Sequence, residues 1–367
     1  MSPVVAVVLG TRPEIIKLAP LLHQLGDLAY VVHTGQHFDD AMSAVFLAEC
    51  GLTVPQHTLA VGGRSRLGQV AGAALELDEL FAKVRPGMVV VQGDTNSTLA
   101  GALAANAHGV PLLHLEAGLR SHDRSMPEEH NRVLVDHLGD VLCAATPTNV
   151  AYLRAEGIPA DRVELTGNTI VEAVRLHLPS TVERQRRLAA WGVRPGRYVL
   201  ATVHRQENTD SPSALEAILR ELAEFVRRGW PVVMPLHPRT AKAAAAAGLD
   251  GILAELTRCE PLGYADFLSL AKDAALVVSD SGGLQEEVTV LKRPLIVVRR
   301  STERPESLRS FATLVPPGPG IGAAAARVLA DPDAVHRRLE QEASPYGDGL
   351  ASSRVATLIR DRLASGR

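Results

Sequence analysis

The segment "HLEAGLRSHDRSMPEEHNR", His114 to Arg132, gathers three glutamates, three arginines and three histidines directly after the apolar run "VPLLHL". Such a run reads as a buried strand, so these ionisable groups stand where a strand ends. The acids of interest are Asp94 in "VQGDTNS", Glu116 in "HLEAG", and Glu128 and Glu129 in "PEEHNR". Asp94 and Glu116 follow neighbouring strand signals and are expected to face one crevice. Carboxylates that share a crevice with arginines have pKa values pushed apart, which suits one group to give a proton while another takes it. The competing use is structural. Glu129 is expected to pair with Arg120, Arg124 or Arg132, and Asp94 also suits a helix N-cap. A metal site is not expected, because His33, His37, His114, His122, His130 and His137 follow no ligand spacing.

A second group of residues suits an anion. "GTRPEIIK" turns from a strand into a helix, with Pro13 near the first helical position and the cations Arg12 and Lys17 beside the helix start. A helix dipole disfavours cations there, so either both are solvated or an anion lies between them and the helix amides. In "VVSDSGGLQEE", Ser281, Gly282 and Gly283 stand between a strand and a helix, where free amides can cradle phosphate without interference from a Cβ. Two such turns, with Arg304 in "STERPES", suggest a diphosphate. Neither turn follows the dinucleotide or P-loop spacing, so no redox dinucleotide and no ATP is expected. His204 in "ATVHRQEN" and His237 in "PLHPRT" each end a strand, where a histidine can hold a phosphate or a reacting group. Tyr264 and Phe267 in "EPLGYADF" begin a helix and offer faces for stacking on a base, with a plain core role as the alternative for Phe267.

These residues need an open parallel sheet, because there ligands lie beyond the carboxyl ends of the strands. The sequence supplies the rhythm. "VVAVVLG", "YVVHTG", "GMVVVQG", "VPLLHLE", "VLCAATP" and "RVELTG" alternate with amphipathic segments, and after a charged helical stretch the pattern restarts near Tyr198 with "YVLATVH", "PVVMPLHP", "GILAELT", "ALVVSDSG" and "PLIVV". A chain of 367 residues also exceeds one ordinary domain. We expect an N-terminal Rossmann-like lobe over residues 1–175 and a C-terminal lobe over 176–351. A terminal helix at about 352–367 is expected to pack back on the first lobe. The formal net charge of −3 argues against nucleic acid or a membrane surface as partner. The apolar runs are too short to span a bilayer, and three separated cysteines suggest neither disulfides nor zinc, so a cytoplasmic enzyme is expected.

In order, "GTRPEIIKLAP", "TGQH", "GDTNSTLAGALAA", "HLEAGLRS", "PEEHNR", "TGNTIVEA", "SDSGGLQEE" and "TERPES" resemble the non-hydrolysing UDP-N-acetylglucosamine 2-epimerase family. The match runs from Gly10 to about Ser307 and thins before Tyr198 and in the C-terminal tail. The resemblance implies the GT-B-like α/β fold, two Rossmann-like lobes with parallel sheets and a cleft between them that holds UDP. It implies a homodimer, no cofactor, and roles residue by residue. Arg12, Lys17, His204, Ser281, Gly282, Gly283 and Arg304 match positions around the diphosphate, with His204 also near the chemistry. Glu287 matches the residue that holds the ribose, Phe267 the contact to uracil, and Asp94, Glu116 and Glu128 the catalytic carboxylates. The implied reaction eliminates UDP, passes through a glycal, and adds UDP back after C2 is reprotonated on its other face. In many members "QH" is followed by a polar pair that helps bind an activating substrate molecule. Here Phe38 and Asp39 follow, so activation by substrate is expected to be weak or absent. A hydrolysing epimerase that releases UDP and N-acetylmannosamine shares the motifs, and a GT-B glycosyltransferase shares the fold.

Overall fold

The computed structural model describes residues 4–36 and 47–365. The chain forms two compact units, residues 1–173 with 346–367, and residues 174–345. The first unit holds a seven-stranded sheet of β1 (Val5–Leu9), β2 (Ala29–His33), β3 (His57–Thr58), β4 (Met88–Gln92), β5 (Leu112–Ala117), β6 (Val141–Ala144) and β7 (Val163–Leu165), in the order β3-β2-β1-β4-β5-β6-β7. Every strand pair in it is parallel. A parallel sheet is covered on both faces, so its central strands read as unbroken apolar runs, and all five residues of β1 and of β4 are buried. The helices Arg66–Val84 and Asn96–Ala107 cover one face through Leu77, Phe81, Leu99 and Ala102 against Ala6, Val8, Val89 and Val91. Gly101 permits that approach, since a Cβ there would stand 2.9 Å from the Val91 Cγ1. The helix Ala351–Ser365 buries Val355, Ala356 and Ile359, and Arg360 donates to the Gln24 carbonyl at the end of the helix Arg12–Leu25.

The second unit repeats the plan with six parallel strands, β8 (Val199–Thr202), β9 (Val232–Pro235), β10 (Thr257–Cys259), β11 (Leu276–Ser279), β12 (Leu295–Val298) and β13 (Ala312–Val315), in the order β10-β9-β8-β11-β12-β13. Its core joins Val199, Ala201, Leu276, Val278, Ile296 and Val298 of the strands to Leu215, Ile218 and Leu222 of the helix Pro212–Arg227. One expected strand is different. "GILAELT" forms the helix Asp250–Leu253 and a turn before β10 begins at Thr257. Leu249, Leu253 and Leu256 are buried at helical spacing, and that period wins over the apolar alternation. Among the described residues no helix is long and apolar enough to cross a membrane.

Candidate active site

In both sheets the strand order reverses direction once, between β1 and β4 in the first and between β8 and β11 in the second. Such a reversal leaves a crevice at the carboxyl ends of the strands. In the first unit the crevice is lined by the turns after β1, β4 and β5. Glu116 sits at the end of β5, where the pairing with β6 slips between Leu115 and Ala117. Its φ is 65°, a left-handed conformation that costs a residue with a Cβ on the order of 1–3 kcal/mol. The bulge turns its carboxylate into a pocket of donors. Lys17 from the helix Arg12–Leu25 pairs with Oε1, Asn168 Nδ2 donates to the same oxygen at 2.7 Å, and Gln92 from the end of β4 donates to Oε2.

Glu14 is buried in the first turn of that helix. It accepts from the Gly10 amide at 3.0 Å, the Thr11 hydroxyl at 2.8 Å and the Thr95 hydroxyl at 2.8 Å, and thereby staples the turn after β1 to the turn after β4. Burial outweighs these donors and pushes the Glu14 carboxyl up to about 7. Asp94 follows the second of these turns and pairs with Arg132, while Asn131 Nδ2 holds the Asp94 carbonyl at 2.9 Å. The N-cap of the helix Asn96–Ala107 is Thr95, so Asp94 keeps its side chain free of that duty. Arg132 also binds Glu129 at 2.6 Å, and Glu129 accepts from the Ser121 and His122 amides. Burial works against the Glu129 charge, but those amides and Arg132 hold its carboxyl below the usual range. Glu128, in the first turn of the helix Pro127–Leu138, is exposed. Arg12 is half-buried at the first position of its helix.

A buried ionic scaffold stands behind these groups. His114 in β5 is fully buried, with Nδ1 2.7 Å from Asp136 Oδ1 and Nε2 2.8 Å from the Gly93 carbonyl. Asp136 accepts further from the Gly118 amide at 3.1 Å and pairs with Arg120 at 2.7 Å, and Arg120 grips Glu156 with two bonds of 2.6 Å. Burial pushes the Asp136 carboxyl up, yet His114 and Arg120 bring it below its ordinary value. One carboxylate thus fixes the Gly93 turn before Asp94 and the Gly118 turn after Glu116.

In the second unit Ser281 caps the helix Gly282–Leu291 at the end of β11. A Cβ on Gly282 would stand 2.8 Å from Arg304 Nη1 and 3.2 Å from Arg205 Nη2, whereas Gly283 faces open space. Two guanidiniums therefore converge on this helix start, which is an anion-binding arrangement. The fully buried Asp280 accepts from the amides of His204 and Arg205 and from Asn208 Nδ2, tying the loop after β8 to this turn. The His204 ring lies 3.2 Å from Asp280. Burial, with Arg205, Arg239 and Arg299, holds that imidazole below its usual range against the pull of Asp280. The His237 ring is 5.7 Å away. On the helix Tyr264–Asp273 the Tyr264 hydroxyl donates to Glu287 at 2.9 Å, and Phe267 is half-buried one turn on.

The first unit therefore brings together Lys17 and Glu116, with Asp94 on the adjoining turn, and the second brings together Ser281, Gly282, Gly283 and Arg304. Phe38 and Asp39 lie outside the described residues. The sequence reading passed over Glu14, Gln92, Asn168, Arg205, Asp280 and Glu303. Glu14 and Asn168 stood inside motifs quoted for other reasons, "GTRPE" and "TGNTIVEA".

Comparison with known proteins identifies the family. The family model described as UDP-N-acetylglucosamine 2-epimerase matches residues 26–360. The UDP-N-acetylglucosamine 2-epimerase of Methanococcus maripaludis is 35% identical over 362 residues, covering 97% of this chain and 98% of the relative. The UDP-2,3-diacetamido-2,3-dideoxy-D-glucuronate 2-epimerase of Pseudomonas aeruginosa is 36% identical over 361 residues, with 96% and 98% covered. Among solved structures, Methanocaldococcus jannaschii UDP-GlcNAc 2-epimerase in complex with UDP-GlcNAc and UDP superposes with a TM-score of 0.87 at 35% identity, covering 97% of this chain and 99% of that one.

Proposed function

The chain belongs to the UDP-N-acetylglucosamine 2-epimerase family, and on that premise we propose that it interconverts UDP-GlcNAc and UDP-ManNAc, or a closely related UDP-2-acetamido pair, without net hydrolysis. It is an isomerase of UDP-sugars with a GT-B-like fold. The Pseudomonas aeruginosa relative acts on a diacetamido uronate, which keeps the sugar within a class and not a single compound.

The observation that carries the reading is Glu116, a carboxylate held at a strand end in a strained backbone by three donors. Strain of this kind persists where the position of a group matters. The C2 proton beside an acetamido nitrogen is not acidic, so the C1–O bond to UDP breaks first. The electron pair leaves with the β-phosphate, C1 becomes oxocarbenium-like, and a carboxylate then takes the C2 proton to give the glycal. Protonation from the opposite face and attack of the UDP oxygen on C1 restore the bond in the epimer. Inversion needs an acid or base on each face, and Asp94, Glu116 and Glu128 supply three carboxyl groups for it. Arg12, Ser281, Gly282, Gly283 and Arg304 stabilise the diphosphate as charge develops on it, with His204 as an additional donor. Glu287, oriented by Tyr264, accepts from the ribose hydroxyls, and Phe267 stacks on uracil. Lys17 fixes the Glu116 carboxylate. We also take the chain to act as a homodimer, because Leu67, Leu75, Leu103 and Leu134 are exposed on the three helices that pack side by side over one sheet face.

Turnover in D₂O followed by NMR and mass spectrometry tests the chemistry. The epimerised product is expected to carry deuterium at C2, with a trace of free glycal and UDP from occasional escape. Full retention of protium at C2 would exclude elimination and addition, and release of free ManNAc as the main product would make the enzyme a hydrolase.

A further inference from the structure

The anion-binding turn of the second unit is not simply cationic. The carboxylate of Glu303 stands inside it. Its Oε1 lies 2.7 Å from the place a Gly282 Cβ would occupy, nearer than either guanidinium. Glu303 is 1% exposed and meets three arginines at once: Arg304 through Nη1, Arg299 through Nη2 at 3.0 Å and Arg205 through Nη2 at 3.8 Å. Of these, Arg299 is buried and also faces Glu207 at 3.5 Å, and Arg304 is anchored from behind by the fully buried Glu286 at 2.7 Å. Arg304 and Arg299 thus keep second carboxylates of their own. Arg205 faces the Glu303 carboxylate, and a quarter of the Arg205 side chain remains open.

A carboxylate at the start of a helix, flanked by guanidiniums, has the charge and bonding pattern of a phosphate in such a place. We propose that Glu303 is the resident counter-anion of the diphosphate turn: it holds Arg205 and Arg304 poised over Gly282 while the turn is empty, and competes with the incoming diphosphate for them. Without it, the three guanidiniums would lose the buried carboxylate they share, and removing one partner from a buried ionic cluster destabilises a fold. With it, the empty turn is neutralised, and a bound diphosphate gains only the difference between its own contacts and those it displaces. Glu303 is therefore a positioning residue that weakens ground-state binding of UDP and lets the product leave. This deepens the proposed function and rests on it.

The test is UDP binding by calorimetry and thermal melting with and without UDP, on the wild type, Glu303→Gln and Glu303→Asp. Glutamine keeps the shape and removes the charge. Its unliganded melting temperature is expected to fall, its UDP dissociation constant to fall by roughly tenfold, and its UDP-induced rise in melting temperature to exceed that of the wild type. In turnover both KM and kcat should drop, since product is held longer. Aspartate withdraws the carboxylate by one methylene and is expected to tighten UDP by a few-fold; it carries the test should the glutamine chain fail to fold. A residue that merely supports the loop gives the opposite sign, so unchanged or weaker UDP binding in the folded variants overturns the proposal. Failure of the wild type to bind UDP overturns the proposed function itself.

Discussion

Glu116 and Glu14 are both buried acids on the same crevice, yet their surroundings set them to different tasks. Glu116 faces a lysine and two amides, so its charge is neutralised in place. Replacing it with glutamine removes the proposed base and takes the carboxylate away from the buried Lys17. We expect kcat to fall by about 10²–10⁴ while UDP affinity changes by no more than a few-fold. Rapid-quench turnover beside calorimetry separates the two, and equal losses in both would assign Glu116 to structure alone. Glu14 has uncharged partners, and burial lifts its carboxyl from 4.5 to about 7. The folded chain therefore binds a proton between those values that the unfolded chain has released, so this residue makes stability fall as pH rises from about 4.5 to about 7. Up to about 3 kcal/mol is at stake. Urea unfolding of Glu14→Gln should lack that part of the decline, and the variant should gain on the wild type at pH 8 relative to pH 5. A wild-type difference that persists in the variant would assign the pH dependence to other groups.

At the scale of elements, β5 and the helix Pro127–Leu138 act together, because Asp136 on the helix binds His114 in the strand and the amide after it. Asp136→Asn leaves Arg120 with the Glu156 carboxylate and the Leu119 carbonyl and takes the charged acceptor from His114. The expected loss is roughly 3–5 kcal/mol of stability, read as a lowered urea midpoint with an unchanged slope. A shift under about 1 kcal/mol would mean the network is dispensable. This pairing shows what a sequence can reveal and what it cannot. The central strands were legible as unbroken runs such as "VVAVVLG", since both faces of a parallel sheet are covered. β3 has two residues and β13 is only partly buried, so neither leaves a periodic signal. Glu116 was legible because it follows a strand and lies among other charges. Its partner Asn168 is 52 residues away, and Glu303 meets Arg205 only after folding, so nothing local marks either.

For the whole molecule the proposed dimer is the property most open to measurement. Exposed leucines on the helices Arg66–Val84, Asn96–Ala107 and Pro127–Leu138 give an apolar face that water alone covers poorly. Light scattering behind size-exclusion chromatography is expected to report twice the mass of one 39.1 kDa chain, and Leu103→Glu with Leu134→Glu is expected to halve it. A wild-type monomer at micromolar concentration would refute this. The two units also differ in how the chain builds them. Residues 174–345 of the second unit are contiguous, whereas the first needs residues 346–365 to return to it. On the ribosome the later unit is then the earlier to finish, and the proposed catalytic carboxylates of the first wait in an incomplete unit until the helix Ala351–Ser365 has left the exit tunnel.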